Sequence, residues 1–389
     1  MTYKNPCLKI DKPMKQFTFT LFLLLSLSLG SCGHRASKAM AGGGDTIPFR
    51  HASHLQVVKY PDYTIVKVRN PWDTLKTLHT YILADKNRTL PDSLPQGSVV
   101  RVPLSNALVY SSVHCSLLDD LGATPRIGGV CDLQYIYLPV IHERNRAGKI
   151  ADCGNSMSPD MERVIELHPD AILLSPFENS GGYGRIEKLG VPLIECADYM
   201  ETSPLGRAEW MRFFGLLTGT EARADSLFRV VEQNYLALQR KVRGVSSAPR
   251  LMVEMKNGAA WYVPAGQSTL GRMYADAGAN YLFAYLQGSG SVSLSFETVL
   301  DRARHADCWL IKYNHPADLT LGKLKQEYAA YARFDAFSRR QVYGCNTGRV
   351  PFYEESPFHP DRLLADLIRI FHPQRLPGHS LRYFTPLAP

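Results

Sequence analysis

Apolar and polar residues alternate with a period of two from Leu55, through LQVVKYPDYTIVKVRNPW and into TLHTYILAD, with Pro-Asp marking a reversal. That alternation predicts strands joined by a turn. After SLPQGSVVRVPLSNALVYSS the pattern changes: HCSLLDDLGA reads as a short helix, RIGGV as a strand, RIEKLG as a helix and VPLIEC as a strand. Strands alternating with short helices predict a parallel α/β layer. A long helical passage follows. Trp210, Phe213, Phe214 and Leu217 form one apolar stripe, interrupted near Gly219, and a second stripe runs from Leu227 through Val231, Tyr235 and Leu238 to Val242. This second piece, 221–242, is expected to extend roughly 33 Å at 1.5 Å per residue. GVSSAP ends it. A second α/β series then runs through RLMVEMKN, a helix in TLGRMYADAG, AYARFDAF, RQVYGC and a final helix in DRLLADLIRIF.

One pattern occurs twice. SPDMERVIE (158–166) is followed by LHPDAILLS, and SLSFETVLD (293–301) by RARHADCWLI, an offset of 135 residues (293 − 158). Each copy reads as a capped helix leading to a buried strand, with a Ser or Asp ahead of the helix to accept its free N–H groups. Glu162 and Glu297 fall in the first turns, where the helix dipole favours a negative charge by about 0.3–1 kcal/mol. The repetition suggests pseudo-symmetry between two lobes, each exposing one carboxylate. The resulting fold class is α/β: two lobes with parallel-type sheets flanked by helices, joined by a single long backbone helix. The first lobe is placed at 51–204, the linking helical element at 205–246 and the second lobe at 247–389.

The first residues change the picture of where the chain works. Lys4, Lys9, Lys12 and Lys15 precede the uncharged run Phe17–Leu29, and Gly30, Ser31 and Cys32 follow. Such a run is too short to span a bilayer and reads as a signal peptide, 1–31. Met14 is an alternative start. Leu29-Gly30-Ser31-Cys32 resembles the bacterial lipoprotein box, which makes Cys32 the expected lipidated residue and the chain an exported, envelope-anchored protein facing the periplasm. Residues 32–50, ending near GGG, read as a flexible tether, with HASH (51–54) in the N-terminal extension. Removing 1–31 lowers the net charge from +8 to +5 (8 − 4 + 1). That balance, without a Lys/Arg block, argues against nucleic acid. With 45% apolar and 21% charged residues, the chain has ample material for packed cores. The mature chain keeps Cys115, Cys131, Cys153, Cys196, Cys308 and Cys345, with no CxxC. Export makes disulfides possible, and Cys131 with Cys153 is the first pair to test.

With these motifs in view, the sequence resembles the substrate-binding proteins of ABC importers for cobalamin, haem and ferric siderophores, most of all the iron-complex binding lipoproteins of Bacteroidetes. The resemblance rests on both glutamate motifs with their sequels HPDAILL and ADCWLI, and on NPWDTLKTLHTYIL and LPQGSVVRVPL. It continues through DYMETSPLGRAEWMRFFGLLTG, WYVPAGQSTLGRMYADAGANYLF and PDRLLADLIRIFHPQRLPGHSLRYF. It implies a ligand cleft between lobes and a dimeric inner-membrane permease whose arginines receive Glu162 and Glu297. The second copy departs after its motif, so its helix end is expected to differ by about one turn.

Ligands of open α/β layers bind beyond the carboxyl ends of the strands. That rule selects Tyr110 to Ser112, the loop CDLQYIYLP with Tyr135 and Tyr137, and FENSGGYGRI with Tyr183 and Arg185 in the first lobe. In the second it selects Trp261 and Tyr262, PAGQS, and Lys312 and Tyr313 in KYNHP. The aromatics suit a large planar or macrocyclic ligand; Arg185, Lys312 and Arg304 are candidate partners for an anionic chelate. Tyr183 stands between glycines, where a side chain is expected to stay accessible. The expected cargo is a ferric siderophore or related iron complex, with haem or cobalamin as alternatives and no resident cofactor. No GxSxG, HExxH or Walker A occurs, so the chain is not expected to be an enzyme. The competing classes are a tetrapyrrole metal chelatase, a zinc or manganese receptor, and a structural lipoprotein that has lost transport.

Overall fold

The computed structural model describes residues 43–178 and 182–389. The segment 1–31, Cys32 and the start of the expected tether lie outside the described residues. The alternating run forms a five-stranded sheet of β1 (Asp45–Ile47), β2 (Leu55–Lys59), β3 (Thr64–Arg69), β4 (Thr77–Asp85) and β5 (Ser98–Val102), in that order. Neighbours are antiparallel except for the parallel β4–β5 pair. On β3, Thr64, Val66 and Val68 are buried while Lys67 and Arg69 are exposed, the period of two that a half-buried strand imposes.

Residues 45–50, expected in the tether, belong to the fold. β1 pairs with β2, and the segment behind it is held by two buried glutamates. Glu209 accepts the amides of Arg50 (3.0 Å), His51 (2.8 Å) and Ala52 (2.9 Å). Glu201 accepts the amides of Ser53 (2.9 Å) and His54 (2.9 Å) and the Ser53 hydroxyl (2.7 Å). HASH is therefore not an extension. A buried backbone without a strand partner needs acceptors for its N–H groups, and carboxylates supply them here.

The second layer is parallel. Its strands are β6 (Ala107–Val109), β7 (Ile127–Val130), β8 (Ala151–Asp152) and, after a small hairpin of β9 (Gly154–Asn155) and β10 (Ser158–Pro159), β11 (Ala171–Leu174) and β12 (Leu193–Glu195). They lie in the order β12-β11-β6-β7-β8. Every residue of β11 is buried, as expected of a strand covered on both faces. The helices Pro204–Glu209, Met211–Thr218 and Glu221–Val242 follow. The break near Gly219 is that residue itself, in the left-handed conformation (φ 72°) as a helix cap. The long helix buries Ala224, Phe228, Val231 and Tyr235 along one stripe.

The other lobe has β13 (Arg250–Val253), β14 (Lys256–Asn257), β15 (Ala260–Pro264), β16 (Asn280–Tyr281), β17 (Ser291–Leu294), β18 (Cys308–Tyr313), β19 (Val342–Asn346) and β20 (Thr385–Pro386). Its main sheet has the order β16-β13-β18-β19-β20, parallel up to β19 and antiparallel at β20; β14, β15 and β17 form a small antiparallel sheet. The α/β architecture with parallel sheets matches the expectation.

The repeated motif folds alike in both lobes. The helices Met161–Leu167 and Phe296–Ala303 start 135 residues apart (296 − 161). Asp160 accepts the amides of Glu162 (3.1 Å) and Arg163 (3.3 Å), and the Ser295 hydroxyl accepts the amide of Thr298 (3.1 Å). Glu162 and Glu297 are both exposed. The second helix is longer by one residue, eight against seven, rather than by a turn. The difference lies in the exit: His168 adopts the left-handed conformation (φ 48°), whereas Arg304 stays right-handed.

The aspartates that follow perform one task twice. Asp170, ahead of β11, accepts the amides of Ser105 (2.6 Å) and Asn106 (3.2 Å) at the entry to β6, and the Lys86 ammonium (2.6 Å). Asp307, ahead of β18, accepts the amide of Arg250 (2.9 Å) at the entry to β13 and its guanidinium (2.9 and 3.0 Å). Burial alone would raise the Asp170 pKa, but Lys86 and Ser105 outweigh it and hold the group below its ordinary value. The Arg250 guanidinium does the same for Asp307. Depressed folded-state pKa values stabilise the fold above the ordinary carboxylate range, about pH 4, and the contribution disappears as pH falls through the folded values. The melting temperature is therefore expected to drop as pH falls from about 5 to 3, with a shallower slope in Asp170→Asn, measurable by circular dichroism melts.

Candidate functional site

The carboxyl ends of β6, β7 and β11 converge on a cavity of about 400 Å³, within the range of small-molecule pockets, about 300–1,000 Å³. Tyr110 and Ser112 follow β6, Asp132 and Tyr135 follow β7, Phe177 follows β11, and Tyr183 closes one side. All described lining residues belong to the first lobe. The cavity is thus built from one lobe rather than from matching halves of two.

Tyr110, Tyr135, Phe177 and Tyr183 give the wall four aromatic rings, and burial raises the pKa of both the Tyr110 and Tyr183 hydroxyls. The Tyr110 hydroxyl is buried and has no protein partner among the described residues. Such a group is ordinarily satisfied, so it is available to a bound molecule. Tyr183 is fixed differently: its hydroxyl donates to Glu195 (2.8 Å) at the end of β12. Asp132 is the charged residue of the described lining and takes a hydrogen bond from the Ser156 hydroxyl.

The turn carrying Tyr135 and Tyr137 is tied to the other lobe. The Tyr137 amide donates to the buried Glu354 carboxylate (2.8 Å), whose pKa is raised mainly by burial. Tyr137 itself is exposed and lies beside the cavity rather than in its described lining.

The second-lobe candidates lie elsewhere. Trp261 is 0% exposed: its indole N–H donates to the Val253 carbonyl (3.0 Å) and its ring stacks on Trp309 at 5.9 Å. Tyr262, next along β15, is 50% exposed and outside the cavity. Strand alternation sends adjacent residues to opposite faces, so the two cannot line one surface. Lys312 is paired with Glu254 and stands 5.9 Å from the Phe352 ring. The Tyr313 hydroxyl accepts the Leu319 amide (3.0 Å). Arg185 is exposed and absent from the described lining, and Arg304 lies at a helix end leading to the start of β18, away from strand carboxyl ends. No lysine or arginine belongs to the described lining.

Cys131 and Cys153 follow the paired residues Val130 and Asp152 on neighbouring strands, and both are buried free thiols. Burial pushes the Cys153 thiol up to about 11. Among the described residues, no three His, Cys, Asp or Glu side chains are grouped to hold a bare metal ion, and no helix is long and apolar enough to cross a membrane.

Two α/β lobes with a cavity at strand carboxyl ends are an arrangement suited to holding a solute. Residues 109–347 match the family described as periplasmic binding protein, and the chain belongs to it. An uncharacterized lipoprotein of Methanocaldococcus jannaschii is 28% identical over 299 residues, which cover 74% of this chain and 69% of that protein. A periplasmic heme binding protein from Pseudomonas aeruginosa has a similar fold, with a TM-score of 0.58 at 15% identity, covering 73% of this chain and 98% of that one. The molybdate periplasmic binding protein of Haemophilus influenzae follows at 0.57 and 17%, covering 72% and 90%. The family and these structures are substrate-binding proteins, not enzymes. The chelatase alternative falls with that assignment.

Proposed function

We propose that this chain is the substrate-binding lipoprotein of an ABC importer, anchored through Cys32 in the bacterial envelope, which captures an iron complex such as a ferric siderophore and delivers it to a dimeric inner-membrane permease. The observation that carries the ligand class is the cavity at the carboxyl ends of β6, β7 and β11, walled by Tyr110, Tyr135, Phe177 and Tyr183. Aromatic faces suit a flat or macrocyclic chelate, and the unpartnered Tyr110 hydroxyl offers it a hydrogen bond. Similar folds whose names specify heme and molybdate accord with a metal-bearing solute. The absence of lysine and arginine from the described lining favours a second reading, a chelate of low negative charge such as cobalamin. On either reading the chelate is cargo.

The test is a titration of the mature protein, with Cys32 omitted, against hemin, cobalamin and a panel of ferric siderophores, read by absorbance and tryptophan fluorescence. Saturable binding of one class at micromolar affinity or tighter, about −8 kcal/mol or better, supports the reading. A folded protein that responds to none of them overturns it. Tyr183→Ala is expected to weaken the successful ligand roughly tenfold, about 1.4 kcal/mol. Tyr262→Ala, outside the cavity, should leave the affinity unchanged in the same titration.

A further inference from the structure

Behind Tyr183 lies a second cavity, of about 490 Å³, bordered by His79, Ser98, Glu187 and Glu195. Three of its side chains form a chain. The Ser98 hydroxyl is 2.8 Å from His79 Nε2, and His79 Nδ1 is 2.9 Å from Glu195 Oε2. The register explains the meeting. Tyr81 of β4 is opposite Ser98 at the start of β5. His79, two residues earlier, lies on the same face, and that face meets the end of β12 where Glu195 stands.

The arrangement fixes one tautomer. An ionised carboxylate only accepts hydrogen bonds, so Glu195 keeps the hydrogen of neutral His79 on Nδ1. Nε2 is then left as an acceptor, and the hydrogen bond to Ser98 must come from the serine hydroxyl. The ring is further held by stacking on Tyr81, with centroids 4.4 Å apart and planes within 10°. Glu195 is itself fixed: its other oxygen takes the Tyr183 hydroxyl (2.8 Å) and its amide donates to the Tyr81 hydroxyl oxygen (2.7 Å). A nucleophile touching a base, with the base oriented by a third group, is the geometry that activates a serine.

We infer that Ser98 is an activated nucleophile, a modification site that accepts a small acyl group from activated carboxylic esters. Ser98 Oγ attacks the carbonyl carbon, and a C–Oγ bond replaces the bond to the leaving alcohol. The hydroxyl proton passes to His79 Nε2, where the Glu195 carboxylate balances the imidazolium, and is then released to the leaving group or to water. No oxidant or metal takes part. Glu195 acts as a positioning residue, and the expected product is a stoichiometric acyl-Ser98. This inference stands apart from the ligand reading, because it concerns a different cavity and a different chemistry.

The experiment is incubation of the mature protein with p-nitrophenyl acetate, following p-nitrophenolate release and locating the acetyl group by peptide mass spectrometry. Ser98 is expected to be the fastest residue to acetylate. Ser98→Ala should abolish the rapid phase, and His79→Ala should slow it by at least about a hundredfold, the usual contribution of a general base. His79→Gln, which preserves more of the side-chain volume, checks that the loss is not one of folding, with thermal melts alongside. Acetyl groups on lysines alone, or equal Ser98 labelling in wild type and in folded His79 variants, would overturn the inference and leave the chain of hydrogen bonds as a brace for Tyr183.

Discussion

Replacing Glu162 and Glu297 together by alanine is expected to abolish solute uptake while leaving solute affinity unchanged. Both glutamates are exposed in the first turns of helices that begin 135 residues apart and are capped from the preceding residue. The caps use backbone amides and the side chains of Asp160 and Ser295, so the helices keep their starts when the glutamates go. Loss of the dipole interaction should cost only about 0.3–1 kcal/mol at each site. Neither residue lines the cavity. A dimeric permease presenting an arginine to each lobe would form two charge-assisted contacts, each contributing about 1.5–3 kcal/mol. Their joint loss weakens docking by roughly two to four orders of magnitude. Single variants should fall between wild type and double variant. Glu166→Ala, exposed later on the first of these helices, should behave as wild type. The measurement pairs uptake of labelled solute with a binding titration of the same variants. Normal uptake by a double variant that binds normally would sink the docking role.

Features written in local sequence were legible before the structure. The capped first turns around Glu162 and Glu297, the break at Gly219 and the alternation of β3 depend on neighbours a few residues away, and each folds as its residues imply. What depends on distant partners was not legible. In the sequence Lys312 reads as available to an anionic ligand, yet its partner Glu254 is 58 residues away. The strand-end rule selects both Trp261 and Tyr262 as cleft residues, although β15 sends them to opposite faces. Strand alternation alone would have separated them. Phe177, a cavity residue, lies in the loop already singled out for Tyr183, but nothing local distinguishes it from an exposed loop aromatic. Met157, also in the cavity wall, lies just ahead of the first repeat, and nothing in its neighbours marks it as a wall residue. The seating of 50–54 was equally hidden, because its acceptors Glu201 and Glu209 stand 147 to 159 residues away.

That hidden seating leads to the largest expected loss of stability, in Glu201→Ala. Glu201 is 2% exposed and accepts the Ser53 amide and hydroxyl, the His54 amide and the Trp210 indole N–H (3.0 Å). Its backbone carbonyl also accepts the Thr269 hydroxyl of the second lobe (2.7 Å). The first sheet, the linking helices and the second lobe therefore meet at this residue. Alanine removes one charged acceptor and strands several buried donors, each costing about 1–3 kcal/mol when unpaired. Water entering the space would satisfy some of them, so the net loss is expected at about 3–5 kcal/mol rather than the full sum. Glu201→Gln keeps the shape and an amide oxygen, and should lose about half as much. Urea unfolding checks both, since an unchanged slope with a lower midpoint reports a loss of stability alone. A shift below about 1 kcal/mol in Glu201→Ala would mean that water replaces the carboxylate fully, and that the 50–54 segment is held by the apolar packing around it.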